Sequence, residues 1–89
     1  MEFEIDQVTE FVGLIACGLA LEESAVYKMD RGMTVEARRE LLLALDFFGL
    51  VARTPRETVR GAAAAFHRAA HVRYAGAMAL LGRVALLEN

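Results

Sequence analysis

Residues Thr54–Leu87, TPRETVRGAAAAFHRAAHVRYAGAMALLGRVALL, decide how this chain is organised. Thr54 can cap a first turn, Pro55 suits a first helical position where a missing N–H costs nothing, and Glu57 completes a capping box. Beyond that boundary Val59, Ala63, Phe66, Ala70, Tyr74, Ala77, Leu81 and Val84 recur at steps of three and four, one face of a helix. Ala62 to Ala65 repeat the strongest helix former four times. The spacing therefore predicts one helix over 55–87, roughly 50 Å long at 1.5 Å per residue. Gly76 and Gly82 each cost about 1 kcal/mol relative to alanine inside it, which marks Gly76 as the place for a kink. Its contact face is mostly alanine with one ring, Phe66, so a neighbouring backbone can come close, either within the chain or from a second copy.

Working outward, the residues before this helix read as two more. Ile5, Val8, Val12, Ile15, Leu19, Val26 and Met29 step by alternating threes and fours, an a/d seam interrupted at Glu22. This predicts a helix over 4–31, ended by Gly32 in the left-handed conformation that suits glycine. Phe11, Leu14 and Leu21 widen its apolar face, and Cys17 reads as a small core residue. Between them, Thr34 is a candidate N-cap and VEARRELLLALDFFGLV runs as a helix over 34–50. Leu41, Leu42, Leu45, Phe48 and Val51 mark its core side, Leu43 and Phe47 its flank, and Arg38 and Arg39 its solvent side. The short link Val51-Ala52-Arg53 predicts that this helix packs antiparallel to the one it feeds.

A competing pattern spans Ala16 to Gly32, whose spacing resembles a helix-turn-helix with Ala20 at the turn and Ser24 to Arg31 as recognition helix. Ala20 is a poor residue for a turn that prefers glycine, and Glu22 and Glu23 lead the would-be recognition helix with only Lys28 and Arg31 to offset them. LALEESAVYKM reads instead as continuous helix.

With 89 residues, 56% of them hydrophobic, the chain has room for one domain, 1–89, and carries more apolar surface than a small monomer hides easily. One cysteine excludes an internal disulfide and fits a reducing cytoplasm. The longest apolar run, Phe11 to Leu21, is shorter than the roughly 20 residues a bilayer needs, so no membrane partner is expected. Leu14-Ile15-Ala16-Cys17 has the form of a lipoprotein cleavage box. The residues before it, with Glu2, Glu4, Asp6 and Glu10, lack the positive charge a secretion signal requires.

Charge divides unevenly. Residues 1–33 hold seven acids against Lys28 and Arg31, a balance of −5, and residues 34–89 hold five acids against eight arginines, +3, which together make the overall −2. An acidic helix beside a basic one explains the split. So does a basic face on Arg53, Arg56, Arg60, Arg68 and Arg73 that meets an acidic partner or nucleic acid. Nine of the ten basic residues are arginine, which favours forked contacts to carboxylate or phosphate.

Chemistry-bearing patterns are thin. His67 and His71 at i and i+4 share one side of the last helix but lack the glutamate of a metalloprotease helix, and only Cys17 could add a soft ligand. Glu57, His67 and Tyr74 lie two to three turns apart, too far to act on one atom. There is no glycine-rich phosphate loop. No catalytic residue, cofactor or metal is therefore expected.

These readings predict an all-α, three-helix antiparallel bundle. Its long first and third helices would pair antiparallel, with the middle one over their seam and the structure completed by self-association or a protein partner. The function expected is a non-catalytic protein–protein interaction module, such as an adaptor, assembly subunit or inhibitor. It would act through the basic face and the apolar residues Phe47, Phe48 and Phe66. The alternative is a small helix-turn-helix-like DNA-binding regulator.

Overall fold

The computed structural model describes the backbone of residues 2–88 and the side chains of residues 6–88. Three helices carry the fold: α1 over Glu2–Asp30, α2 over Thr34–Ala52 and α3 over Ala63–Glu88, with a short 3-10 turn at Arg56–Thr58. All three pairs of helices touch, and α2 makes the larger interface with each neighbour. Among the described residues no helix is long and apolar enough to cross a membrane.

The first reversal is built as the sequence predicts. Gly32 has φ +76°, its N–H donates to Met29 O at 3.1 Å, and Met33 N–H donates to Lys28 O at 2.9 Å. Those two bonds form the Schellman pattern, which a Cβ at Gly32 would strain. Thr34 is not the cap of α2. Met33 holds that position without a side-chain bond, and Thr34 is the first helical residue.

The second reversal departs from expectation. α3 starts at Ala63, not Pro55, and the connection runs over residues 53–62 rather than three. Thr54 turns its hydroxyl back to Leu50 O at 2.9 Å and so closes α2 instead of opening α3. Pro55 has ψ 126°, Val59 is extended and Gly61 has φ +49°, so the helical path is broken three times. Tertiary bonds favour this path: Gln7 donates to Thr58 O at 3.0 Å and accepts from Arg60 N–H at 2.8 Å. Val59 packs against the core from the connection. Once begun, α3 runs unbroken through Gly76 and Gly82.

Two reversals restore the chain direction, so α1 and α3 run parallel and both oppose α2. That corrects the antiparallel pairing expected of them. Gln7 meets Arg60, Phe11 stacks 6.4 Å from His67, Glu22 faces Arg73, and Met29 shares a cluster with Val84. The resulting rod measures 49 × 18 × 14 Å. Its radius of gyration is 14.3 Å, against about 12 Å for a compact chain of this length. Its accessible surface of 5775 Å² compares with about 5,200 Å² for a typical monomer of this mass.

The core is wide where α2 supplies large side chains. Leu41, Phe48 and Val51 are fully buried, and Phe48 lies against Gly18 of α1. The buried stripe of α1 is Phe11, Ile15, Gly18, Ala25 and Met29, turned one residue from part of the predicted seam. Val12 and Val26 consequently face outward, as does Leu42, and Cys17 is exposed rather than in the core. Ile5, also placed in that seam, lies outside the described side chains. α1 passes through Ala20 and Glu22 without a turn, so residues 16–30 are continuous helix and not a helix-turn-helix.

Candidate functional site

α3 carries two apolar faces. Ala63, His67, Ala70, Ala77 and Val84 are buried, with Tyr74 and Leu81 half-buried between them, at steps of three and four. Offset by two residues, Ala65, Ala69, Val72, Gly76, Ala79, Arg83 and Leu86 repeat the same steps, and every one is exposed. At 100° per residue the two stripes lie on nearly opposite sides of the helix. Val72 and Leu86 on the outer stripe are 72% and 76% exposed, so large aliphatic side chains stand in water. A surface helix of a globular domain ordinarily has one apolar stripe, and a helix apolar on both sides is ordinarily covered on both.

The outer stripe borders the open side of the α1–α3 interface. There Glu22, Ala69, Val72, Arg73, Gly76 and Leu80 line a shallow groove of about 460 Å³. Glu22 and Arg73 meet across it at 3.9 Å. Val12 and Val26 add exposed aliphatic surface on α1. α2 covers the opposite side of the same seam, so the bundle closes only half of what the sequence assigned to it.

The predicted basic face divides. Arg56 and Arg68 line one cleft with Val59, Ala64, His67 and His71, and Arg53 lines an adjoining hollow with Ala52, His71 and Tyr74. Arg60 turns away: it donates to Glu57 O at 3.0 Å and lines a crevice with Asp6, Gln7 and Glu10. Arg73 sits on the α1 side, opposite Glu22. Three of the five arginines therefore share a site.

The predicted apolar contacts divide as well. Phe48 is wholly buried and unavailable to a partner, because its ring fills the space left by Gly18. Phe47 and Phe66 are half-buried, and Phe66 packs against the core.

His67 is a core residue, not a solvated one. It is buried, stacks on Phe11, and places Nε2 3.0 Å from Thr54 O. A carbonyl oxygen only accepts, so Nε2 carries the proton and donates. His71 stays exposed and meets the His67 ring edge-on at 4.9 Å. Among the described residues no group of three or more His, Cys, Asp and Glu side chains is arranged to hold a metal.

The basic residues proposed for DNA contact are engaged elsewhere. Lys28 Nζ pairs with Glu40 Oε1 at 2.7 Å, and the Arg31 guanidinium stacks 4.3 Å over the Tyr27 ring. Lys28, with Ser24 beside it, holds the Glu40 carboxyl below its ordinary value of 4.5, against a smaller opposing effect of burial.

No protein-family model matches the chain, and no curated protein or solved structure matches it.

Proposed function

We propose that this protein is a non-catalytic interaction module whose outer α3 face docks an acidic amphipathic helix of a partner protein. The observation that supports it is the second heptad stripe, Ala65 to Leu86, left uncovered on a helix whose opposite stripe already serves the core. Alanine and glycine at 65, 69, 76 and 79 let a partner backbone approach, while Val72 and Leu86 supply apolar area. Arg68, Arg73 and Arg83 flank or interrupt the stripe. An α3–α3 pairing of two copies would set those arginines against one another, which costs energy in a desolvated seam. An acidic helix removes that cost, and forked arginine contacts to its carboxylates fix its register.

The test uses the full chain as bait in extract from its native cell, beside a Val72→Glu, Leu86→Glu variant. Both positions are exposed, so the variant keeps its circular dichroism spectrum and melting temperature. We expect the unaltered protein alone to retain a helical, acidic protein identified by mass, and its retention to fade as salt rises. Equal retention by both forms overturns the reading. So does a sedimenting homodimer broken by the two substitutions, which assigns the face to self-association. Retention of DNA with steep salt dependence would return the regulator reading instead.

A further inference from the structure

We infer that the paired hollow between the 53–62 connection and the first turns of α3 is a binding site for a di- or triphosphate group. The larger part, about 410 Å³, is lined by Arg56, Val59, Ala64, His67, Arg68 and His71. The smaller, about 240 Å³, is lined by Ala52, Arg53, His71 and Tyr74, so His71 forms the wall they share. Arg53, Arg56, Arg68, His67, His71 and Tyr74 all line this space, and among the described residues no carboxylate lines either part.

Five of the other seven basic residues are engaged: Lys28, Arg38 and Arg73 pair with Glu40, Glu88 and Glu22, Arg31 stacks on Tyr27, and Arg60 donates to a backbone carbonyl. Arg39 on α2 and Arg83 near the end of α3 also lack an ion pair among the described residues, but neither lines this hollow. Arg53, Arg56 and Arg68 make no ion pair among the described residues. Like charges gathered without a counter-charge repel, and a polyvalent anion is what relieves them.

The site is also held in place. Arg53 N–H donates to Gly49 O at 2.8 Å, and its guanidinium lies over Gly49, where a Cβ would come within 2.5 Å of Nη1. His67 fixes the connection through Thr54 O, and Gln7 fixes it through Thr58 and Arg60. The arginines thus project from the tethered 53–62 connection and from the packed helix α3. The N-terminal first turn of α3, which begins at Ala63, places Ala64 in the lining and adds its positive field. Its first N–H groups are already bonded to Arg60, Gly61 and Ala62, so the donors to the anion are the side chains. Three planar forks and an imidazole spread over two adjoining hollows offer more than one phosphate can accept, which points to a chain of two or three.

Calorimetric titration of the whole protein with pyrophosphate tests this, with inorganic phosphate and ATP as the other arms. We expect pyrophosphate to bind at least roughly tenfold more tightly than phosphate. Arg56→Gln and Arg68→Gln should each weaken it by roughly tenfold or more. Gly49→Ala leaves every charge in place but displaces Arg53, and should weaken binding several-fold, whereas Arg39→Gln on the outer side of α2 should change nothing. ATP matching pyrophosphate assigns the site to the phosphate chain alone, and ATP binding more tightly adds a base contact.

An absence of heat at millimolar pyrophosphate overturns the inference. Equal losses from Arg39→Gln and Arg56→Gln also overturn it, since general charge would then explain the binding. So does an oligonucleotide that binds more tightly than ATP with a steep salt slope, which makes the site part of a nucleic-acid track. Arg68 also flanks the outer stripe of α3, whereas Arg56 and Gly49 lie outside it, so the Arg56→Gln and Gly49→Ala results stand or fall separately from the docking result.

Discussion

α1 meets its two neighbours in different ways. Against α2 it interlocks: Gly18 receives the Phe48 ring, Lys28 grips Glu40 at 2.7 Å, and Leu14 and Leu21 pack on the same core. Against α3 it closes along one edge only, over an alanine-rich face, and leaves the groove at Glu22, Ala69, Gly76 and Leu80 open. Large side chains of α2 fill the first interface and commit it to folding. Small side chains of α3 bury little area each and leave the second interface open on one side. The difference teaches where stability resides in a chain this short and where it does not, and five substitutions can break or sharpen it.

The largest effect is expected at Phe48, which is fully buried and touches α1. Phe48→Ala removes a ring and leaves a cavity, a loss of about 3–5 kcal/mol. A domain of this size has about 4–13 kcal/mol in all. Urea unfolding followed by circular dichroism should therefore show the variant partly or wholly unfolded in water. A midpoint shifted only slightly would mean that the α1–α2 interlock is not the centre of stability.

Next come two glycines that separate the interfaces by sign. A Cβ at Gly18 would lie 2.8 Å from Phe48 Cδ1 and Cζ, a ring with no room to move, so Gly18→Ala should cost about 1–3 kcal/mol. At Gly76 a Cβ would meet nothing within 4 Å, so Gly76→Ala should stabilise by about 1 kcal/mol through helix propensity alone. Thermal melts of the two variants should move in opposite directions. Two downward shifts would mean that the outer face of α3 is covered within the folded protein.

The same contrast explains what could be read from the residues beforehand. Helix number and order, the reversal at Gly32 and the large core residues of α2 were legible, because periodicity and left-handed glycine are local signals. The start of α3 was not. Thr54, Pro55 and Glu57 satisfy every local rule for a helix start, yet Gln7, about fifty residues away, holds Thr58 and Arg60 in a different path. A polar clamp of that kind leaves no mark in spacing. The rotation of α1 was hidden because Val12 and Val26 extend the heptad of Ile15 and Met29 as well as Phe11 and Ala25 do. Which set turns inward depends on Phe48 finding Gly18. The outer stripe of α3 at 65, 69, 72, 76, 79, 83 and 86 has the same period as the inner one, so spacing alone does not tell which of the two faces the core. Grouping the arginines needed the bend at 53–62, which carries Arg56 beside Arg68 and turns Arg60 away.

The smallest effect concerns the two ion pairs that flank α1. Glu40 pairs with Lys28 at 2.7 Å on the α2 side, while Glu22 and the half-exposed Arg73 stand 3.9 Å apart on the α3 side. Glu40→Gln should cost no more than about 1 kcal/mol at neutral pH, and Glu22→Gln less. The pH dependence tells them apart. Bonding to Lys28 and Ser24 sets the folded-state Glu40 carboxyl below its unfolded value. Its contribution is therefore present above the ordinary carboxylate range and lost as pH falls through the depressed folded value. Stability of the unaltered protein and of Glu40→Gln, measured in urea from neutral pH into acid, should differ at the top of that range and converge at the bottom. A constant gap would mean that Glu40 acts through packing rather than charge. A larger gap for Glu22→Gln would reverse the ranking of the two interfaces, because the pair that matters would then sit beside the open groove rather than in the interlock with α2.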